Sequence, residues 1–326
     1  TSAEVVAAAR ARGLDAAEVP YQVSLAAIPD PPATDADCTV AVGHPTGDVV
    51  VDGDSLALEA AEVVAEFAPD SIDPELALAG AVCAGVEPSG SLLEAADLDR
   101  RPGIATPIAD RIDGLAGSTL IHAAFSGDGR AVEAALADLD DPTGREFASF
   151  LALSVIEDAP PRAADAVERA LRPHVTDRFE TLGGFADVLD ALARVRPGTG
   201  IALALGHEVE TTALEAWRKH GQRAHAELQD ADTGRYEGVH VARVAPGAPE
   251  LLGTVARLCF WYRSPEPIAL AVTDGAVAAV GKTDLEAPMR TAVSGLDGRV
   301  TVRGDRAVAT FDGTTSDMTA AFREAL

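Results

Sequence analysis

Three side chains able to bind a divalent ion stand close together early in the chain: His44, Asp52 and Asp54. They follow two short β-branched runs, Thr39–Val42 and Val49–Val51, each leading straight into polar residues. Such runs predict adjacent buried strands of a parallel sheet, and ligands of open α/β sheets bind beyond the carboxyl ends of the strands. Hard divalent cations take carboxylate and imidazole donors, so these residues form a candidate metal set. A second reading makes Asp52 and Asp54 strand-end and N-cap residues and His44, before Pro45, a turn residue. Both readings stay open on the residues alone.

Other residues invite a chemical reading. Ser118 and Thr119 near His122 supply a nucleophile and a base, but no orienting acid is evident, which favours a structural role. Arg299, Arg303 and Arg306 fall on or near the last two strands, where they would serve as phosphate contacts or as solvated charge at a sheet edge. Arg257 and Arg263 flank Cys259-Phe-Trp-Tyr262, a cluster suited to an interface anchor or a base-stacking platform.

The elements that must position these groups follow from periodicity. Asp73-Pro74 opens a helix with Asp as N-cap and Pro at its first position, and Ser55 caps a helix over 56–67. A helix is expected over 1–13 and a strand over 21–28. Helical spacing recurs over 130–138, 145–157, 162–171 and 183–194. One long polar helix over 208–228 has Lys219, His220, Arg223 and His225 spread around its surface. Strands follow at 239–244, 268–273, 276–280, 300–303 and 307–311, with helices at 251–262 and 316–326. The Gly-, Ser- and Thr-rich stretch from Gly114 to Gly127 is too apolar for a linker and too irregular for one element. The fold class is α/β: a parallel-sheet domain over 1–204, a connecting helix over 205–235 and a smaller mixed α/β domain over 236–326.

Composition bounds the rest. The chain has 326 residues, with 52 acidic against 26 basic for a formal charge of −26, and two lysines, Lys219 and Lys282. Such a balance reads as adaptation to molar salt, where the Debye length falls to about 3 Å, so the global sign does not exclude nucleic-acid partners and only local arginine clusters count. Three separated cysteines, Cys38, Cys83 and Cys259, each in an apolar run, read as buried thiols. No apolar run reaches 18 residues and no signal-peptide pattern is present, so a soluble cytoplasmic protein with no membrane partner is expected.

The order of these phrases resembles the RecJ-like branch of the DHH phosphoesterases, in particular archaeal, halophile-type members. Val49-Val-Val-Asp52-Gly53-Asp54 falls where that family runs from a strand into Asp-His-His. Leu76-Ala-Leu-Ala-Gly-Ala-Val-Cys-Ala-Gly85 falls on its helix leading to a further metal-binding Asp. Gly114-Leu-Ala-Gly-Ser-Thr-Leu-Ile-His122 is similar to an archaeal RecJ-like segment, and Phe185-Ala-Asp-Val-Leu-Asp-Ala-Leu-Ala-Arg194 falls on an Asn-Ala-Gly-Arg type motif. The resemblance implies a two-metal phosphodiesterase site, normally manganese. This chain departs from it: both histidines of the triplet are absent, the later Asp is replaced within Ala84-Gly85-Val86, and the first Asp-x-Asp motif would precede Thr1. The Gly-rich, His-containing loop of the family's last domain is reduced to Ser294-Gly-Leu-Asp-Gly298 and Arg303-Gly-Asp-Arg306. The resemblance therefore implies a catalytically degenerate scaffold or nucleic-acid-binding subunit of a replicative helicase (GINS-type) assembly in archaeal DNA replication or repair. Its alternative is a single-strand-specific exonuclease or oligonucleotide phosphodiesterase, which would use Mn or Mg with Asp52, Asp54 and His44. The implied partners are single-stranded nucleic acid, helicase or GINS proteins, or both, with Arg299, Arg303 and Arg306 on the nucleic acid.

Overall fold

The computed structural model describes residues 39–42, 47–51, 53, 55–67, 72–139, 143–157 and 159–326. The helix expected over 1–13, the strand over 21–28 and the candidate ligands His44, Asp52 and Asp54 lie outside the described residues. The chain forms two compact units. The first takes residues up to 101 with 105–109 and 172–217, and the second takes 102–104, 110–171 and 218–326.

In the first unit, β1 (Val40–Val42) pairs in parallel with β2 (Val49–Val51), Val40 opposite Val49. Helix α1 (Leu56–Phe67) follows, with the Ser55 hydroxyl accepting from the Leu58 N–H at 3.4 Å. Helix α2 (Pro74–Cys83) starts as its sequence requires: Asp73 accepts from the Leu76 N–H at 3.0 Å and Pro74 holds a position whose N–H would be unpaired anyway. It ends in a left-handed cap. Gly85 has φ +87° and its N–H donates to Val82 O, while the Val86 N–H donates to Ala81 O, the paired closure that favours glycine at this point. Helices α3 (Gly90–Ala96), α8 (Leu182–Val195) and α9 (Pro197–Ala204) belong to the same unit. Its core gathers Leu76, Leu78, Phe185, Leu189, Leu192 and Trp217. The run from Gly200 to Gly206, apolar enough to pass for a strand, is mostly helix because Pro197 opens it as a first-turn proline.

The second unit has a helical part, α4 (Arg111–Gly117), α5 (Gly129–Leu136), α6 (Gly144–Ile156) and α7 (Ala163–Ala170), each within two or three residues of the expected range where one was expected. Asp110, Asp128 and Thr143 cap the first three, and Thr143 forms a reciprocal capping box with Glu146. The long helix α10 (Glu210–Asp230) gives residues 210–217 to the first unit and 218–230 to the second. A six-stranded mixed sheet follows, in the order β3-β4-β5-β6-β8-β7. Its strands are β3 (Asp232–Tyr236), β4 (Val239–Arg243), β5 (Ile268–Thr273), β6 (Ala276–Gly281), β7 (Arg299–Arg303) and β8 (Arg306–Thr310), and β4–β5 is its parallel pair.

The two faces of the sheet are filled differently. Ala242, Ala269, Ala271 and Ala278 line one face and admit helix α11 (Leu252–Tyr262), whose Val255, Ala256 and Cys259 join the same core. Val239, Val241, Ile268, Leu270 and Val277 line the other, under α12 (Glu286–Ser294) and α13 (Thr315–Ala325), which contribute Met289, Val293, Met318 and Phe322. All six β5 residues are buried, as a central strand covered on both faces must be. Two elements of this sheet and its helices were not expected. The strand β3 reads Asp-Thr-Gly-Arg-Tyr and has no apolar alternation, because it is an edge strand. In α12, Pro288 looks like a breaker, yet in the first turn its missing N–H costs nothing.

His220 and His225 correct one expectation. Both are buried, at 2% and 0% exposure, not spread over the surface of the long helix. The 218–230 part of that helix turns a polar but buried stripe into the second unit, and Gly221 sets the distance. A Cβ there would lie 1.8 Å from the Gly117 carbonyl oxygen of α4. Ordinarily Gly→Ala inside a helix gains about 0.5–1 kcal/mol. Here Gly221→Ala should instead lose about 1–3 kcal/mol through overpacking. Gly198→Ala in α9, where a Cβ meets nothing within 4 Å, should give the ordinary gain. Urea unfolding of the two variants, which should move in opposite directions, checks this.

Candidate nucleic-acid interface

One cross-sheet row organises the charge of the second unit. Reading across the register, Arg235 lies opposite His240, His240 opposite Ala269, Ala269 opposite Val280, Val280 opposite Arg306, and Arg306 opposite Arg303. Directly opposed residues share a face, so this is the face that α11 covers in its middle. Beyond the helix, on β8 and β7, the face is open: Arg299, Arg303 and Val308 are exposed. Arg299 stands opposite Thr310, four register steps from the Arg303–Arg306 pair and so on the same face. Two arginines directly across an antiparallel pair repel one another. Arg306 Nε lies 3.5 Å from Asp305 Oδ1, a counter-charge to that repulsion.

Cationic groups continue from this patch toward the exposed side of Trp261. Lys282, two residues beyond Val280, has Nζ 5.4 Å from the Trp261 ring centroid and 3.6 Å from Asp165. The Arg169 guanidinium sits 4.2 Å over the same ring. In a chain of formal charge −26 with two lysines, Arg299, Arg303 and Arg306 thus share one sheet face, and Arg169 and Lys282 meet at Trp261 of the helix that covers its middle. The three β7–β8 arginines were legible in the sequence. Arg169 and Lys282 were not, since they lie more than a hundred residues apart and only α7 and the β6 turn bring them to Trp261.

The remaining sequence candidates serve as structure. Ser118 Oγ accepts from the Leu120 N–H at 3.2 Å, and Thr119 Oγ1 accepts from Arg257 Nη2 at 2.6 Å, so neither faces His122 as a nucleophile. His122 Nδ1 is 2.9 Å from His225 Nδ1, and His225 Nε2 is 2.8 Å from Ser118 O. A carbonyl oxygen can only accept, so His225 carries its proton on Nε2 and accepts at Nδ1 from His122 Nδ1–H. His122 Nε2 is then an acceptor and faces Arg263 Nη2 at 3.2 Å. Burial, then His225 and Arg263, pushes His122 down to about 2, and burial is also the chief cause that lowers His225 to about 4. Cys259, Phe260 and Tyr262 are core residues of the second unit, and burial pushes the Cys259 thiol up to about 12.

In the first unit, the carboxylates of the Phe185–Arg194 segment are engaged. Asp187 accepts from Trp217 Nε1 at 2.8 Å, and Asp190 pairs with Arg194 at 3.1 Å. Among the described residues, no group of three or more His, Cys, Asp or Glu could hold a metal ion, and no helix is long and apolar enough to cross a membrane.

Comparison with known proteins places the chain. It is 48% identical over 334 residues to the uncharacterized protein rrnAC1427 of Haloarcula marismortui, covering 97% of this chain and 88% of that protein. The chain belongs to the rrnAC1427 family. Residues 231–324, the mixed sheet with its helices, match the domain described as the C-terminal domain of that protein. Among solved structures, RecJ of Thermus thermophilus in complex with Mg2+ aligns with a TM-score of 0.41 at 14% identity, over 83% of this chain. The chain spans 37% of the length of that RecJ.

The histidine pair makes the second unit acid-sensitive. Both rings titrate below their ordinary 6.5 in the folded state, so below that pH the unfolded chain binds protons the folded chain refuses. Stability is therefore undiminished above pH 6.5 and falls as the pH drops below it, down to about 4 for the His225 contribution and about 2 for that of His122. A His122→Gln/His225→Gln variant should be less stable at neutral pH by about 1–3 kcal/mol for its lost buried hydrogen bonds. Its stability should change less between pH 6.5 and 4. Denaturant midpoints across that range, for both proteins, check the slope.

Proposed function

We propose that this protein binds single-stranded nucleic acid through the arginine-bearing face of its second unit, as a RecJ-like DHH protein of archaeal DNA replication or repair that has lost turnover. The observation that carries this reading is the gathering of Arg299, Arg303 and Arg306 on an open sheet face of a strongly acidic chain. Guanidinium groups on an open sheet face are the side chains that contact nucleic-acid phosphates. The resemblance of the Val49–Asp54, Leu76–Gly85 and Gly114–His122 phrases adds the DHH setting. In this reading residues 1–204 are the DHH-like part, 205–235 the connecting helix and 236–326 the substrate-binding-like part. Helicase or GINS-type proteins would be its assembly partners, in the cytoplasm.

The implied metal does not enter this proposal. The residues that would hold Mn or Mg, Asp52, Asp54 and His44, lie outside the described residues, and the departures from the Asp-His-His triplet remove imidazole donors that such a site uses. No chemical step is derived through a metal.

Fluorescence anisotropy with a labelled single-stranded oligonucleotide tests the binding. Arg299→Glu/Arg303→Glu should weaken it at least tenfold and flatten the salt dependence by about 1.4 in log–log slope, at about 0.7 per lost single-strand phosphate contact. Arg290→Glu, on α12 and already paired with Glu286, should leave binding unchanged. Equal affinity and slope in the double variant and the wild type would remove the arginine face from the proposal.

A second assay addresses turnover. With millimolar Mn2+ and molar KCl, the wild type should not degrade a 5′-labelled single strand. Cleavage that vanishes in Asp52→Ala/Asp54→Ala would replace the scaffold with the exonuclease.

A further inference from the structure

Helix α6 carries an apolar face on its outer side. Phe147, Leu151 and Val155 turn into the core of the second unit, whereas Leu153 is 66% exposed and Ile156 42%. Leu153 is the most exposed large apolar side chain among the described residues. Single exposed apolar residues are ordinary. What sets this face apart is the row it belongs to. Arg145, Ser149, Leu153 and Glu157 follow one another at every fourth position and are all exposed, so they form one ridge along the helix.

That ridge is complementary to itself when reversed about residue 151. Arg145 then comes opposite Glu157, and the large Leu153 opposite the small Ser149. Two such ridges lie along one another when the helices cross at about 50°. The reversal also answers the helix dipole. Arg145 sits in the first turn and Glu157 is the C-cap, each at the end of its own helix that disfavours its charge. In an antiparallel pair each meets the end of the other helix that favours it. A second cation stands at the same end as Arg145: the Arg111 guanidinium lies 4.9 Å over the Phe147 ring. Glu146, the acid of that turn, is folded back onto Thr143 in the capping box. We infer that α6 pairs antiparallel with α6 of a second copy of this chain, burying Leu153 and Ile156 between the copies and joining Arg145 of each to Glu157 of the other. A helix of 13 residues is about 20 Å long, so the contact is smaller than the roughly 800 Å² per partner of a standard interface and the dimer is reversible. Two copies of charge −26 repel one another in dilute salt, and at molar salt the Debye length of about 3 Å screens them, so association strengthens as KCl rises. This pairing is independent of the nucleic-acid reading.

Sedimentation equilibrium of the full chain in molar KCl, over a wide range of protein concentration, is the test. The wild type should pass from monomer to dimer. Leu153→Glu, at an exposed position that leaves the core intact, should weaken the dimer at least tenfold. Arg145→Glu should weaken it too, and the swap Arg145→Glu/Glu157→Arg should restore it, which a merely structural role of either residue would not do. A wild type that stays monomeric at every concentration, as it would if another protein or another part of this chain covered the face, overturns the proposal. So does a dimer that Leu153→Glu leaves unchanged, or a swap that fails to restore association. Register is read by mixing Ser149→Cys and Leu153→Cys proteins, each in a Cys38→Ser background, under mild oxidation. The mixed disulfide should form faster than either like pair, and equal rates would overturn the antiparallel arrangement.

Discussion

The second unit depends on satisfying the backbone of one buried loop. Residues 118–126 form neither helix nor strand, yet Ser118, Thr119, Ile121, His122 and Ser126 are buried. Their carbonyls would carry a desolvation penalty without partners. Side chains from two helices supply them. His225 serves Ser118 O and Gln229 serves Ser126 O from α10, while Arg257 serves Thr119 O and Tyr262 serves Leu120 O from α11. This explains why a helix so polar in sequence is so buried along one stripe. It also explains the neutral histidine pair, since a charged ring would have to shed its water inside that packing.

The same helix α11 that holds the loop also defines the surface. It covers the alanine-lined middle of the sheet and stops short of β8 and β7, so the β7–β8 arginines remain at the open end of a face whose centre is core. Its last turn places Trp261 at the margin, where Arg169 and Lys282 lie against the ring. Cation–π contacts at such exposed positions are worth about 0.5–1 kcal/mol each. They orient the cations without neutralising them. Acidity elsewhere keeps this patch distinct: a local positive field stands out most on a background of the opposite sign.

Much of the fold was legible because its cues are local. The caps at Ser55 and Asp73, the first-turn Pro74 and the alternating runs of β4 to β8 act over a few residues, and the elements they predicted are present within a few residues of their expected ends. Strand β3 and helix α12 escaped because an edge strand needs no apolar alternation and a first-turn proline imitates a breaker. The long helix was found, but the burial of His220 and His225 on it was not, since polarity was read as exposure while Thr254 and Ser118, their partners, lie far away in sequence.

The candidate site divides in the same way. The sequence by itself determined the α/β class, the acidic balance, the arginines of the last two strands and the phrases that resemble the DHH family. Only the tertiary structure decided that Arg303 and Arg306 oppose one another in register, that Arg169 and Lys282 converge on Trp261, and that Ser118, Thr119 and His122 are spent on packing. Composition and short-range pattern reflect solvent and local backbone preference. Which charges meet and which polar atoms find partners depends on long-range register and helix packing, and no local stretch of residues encodes those.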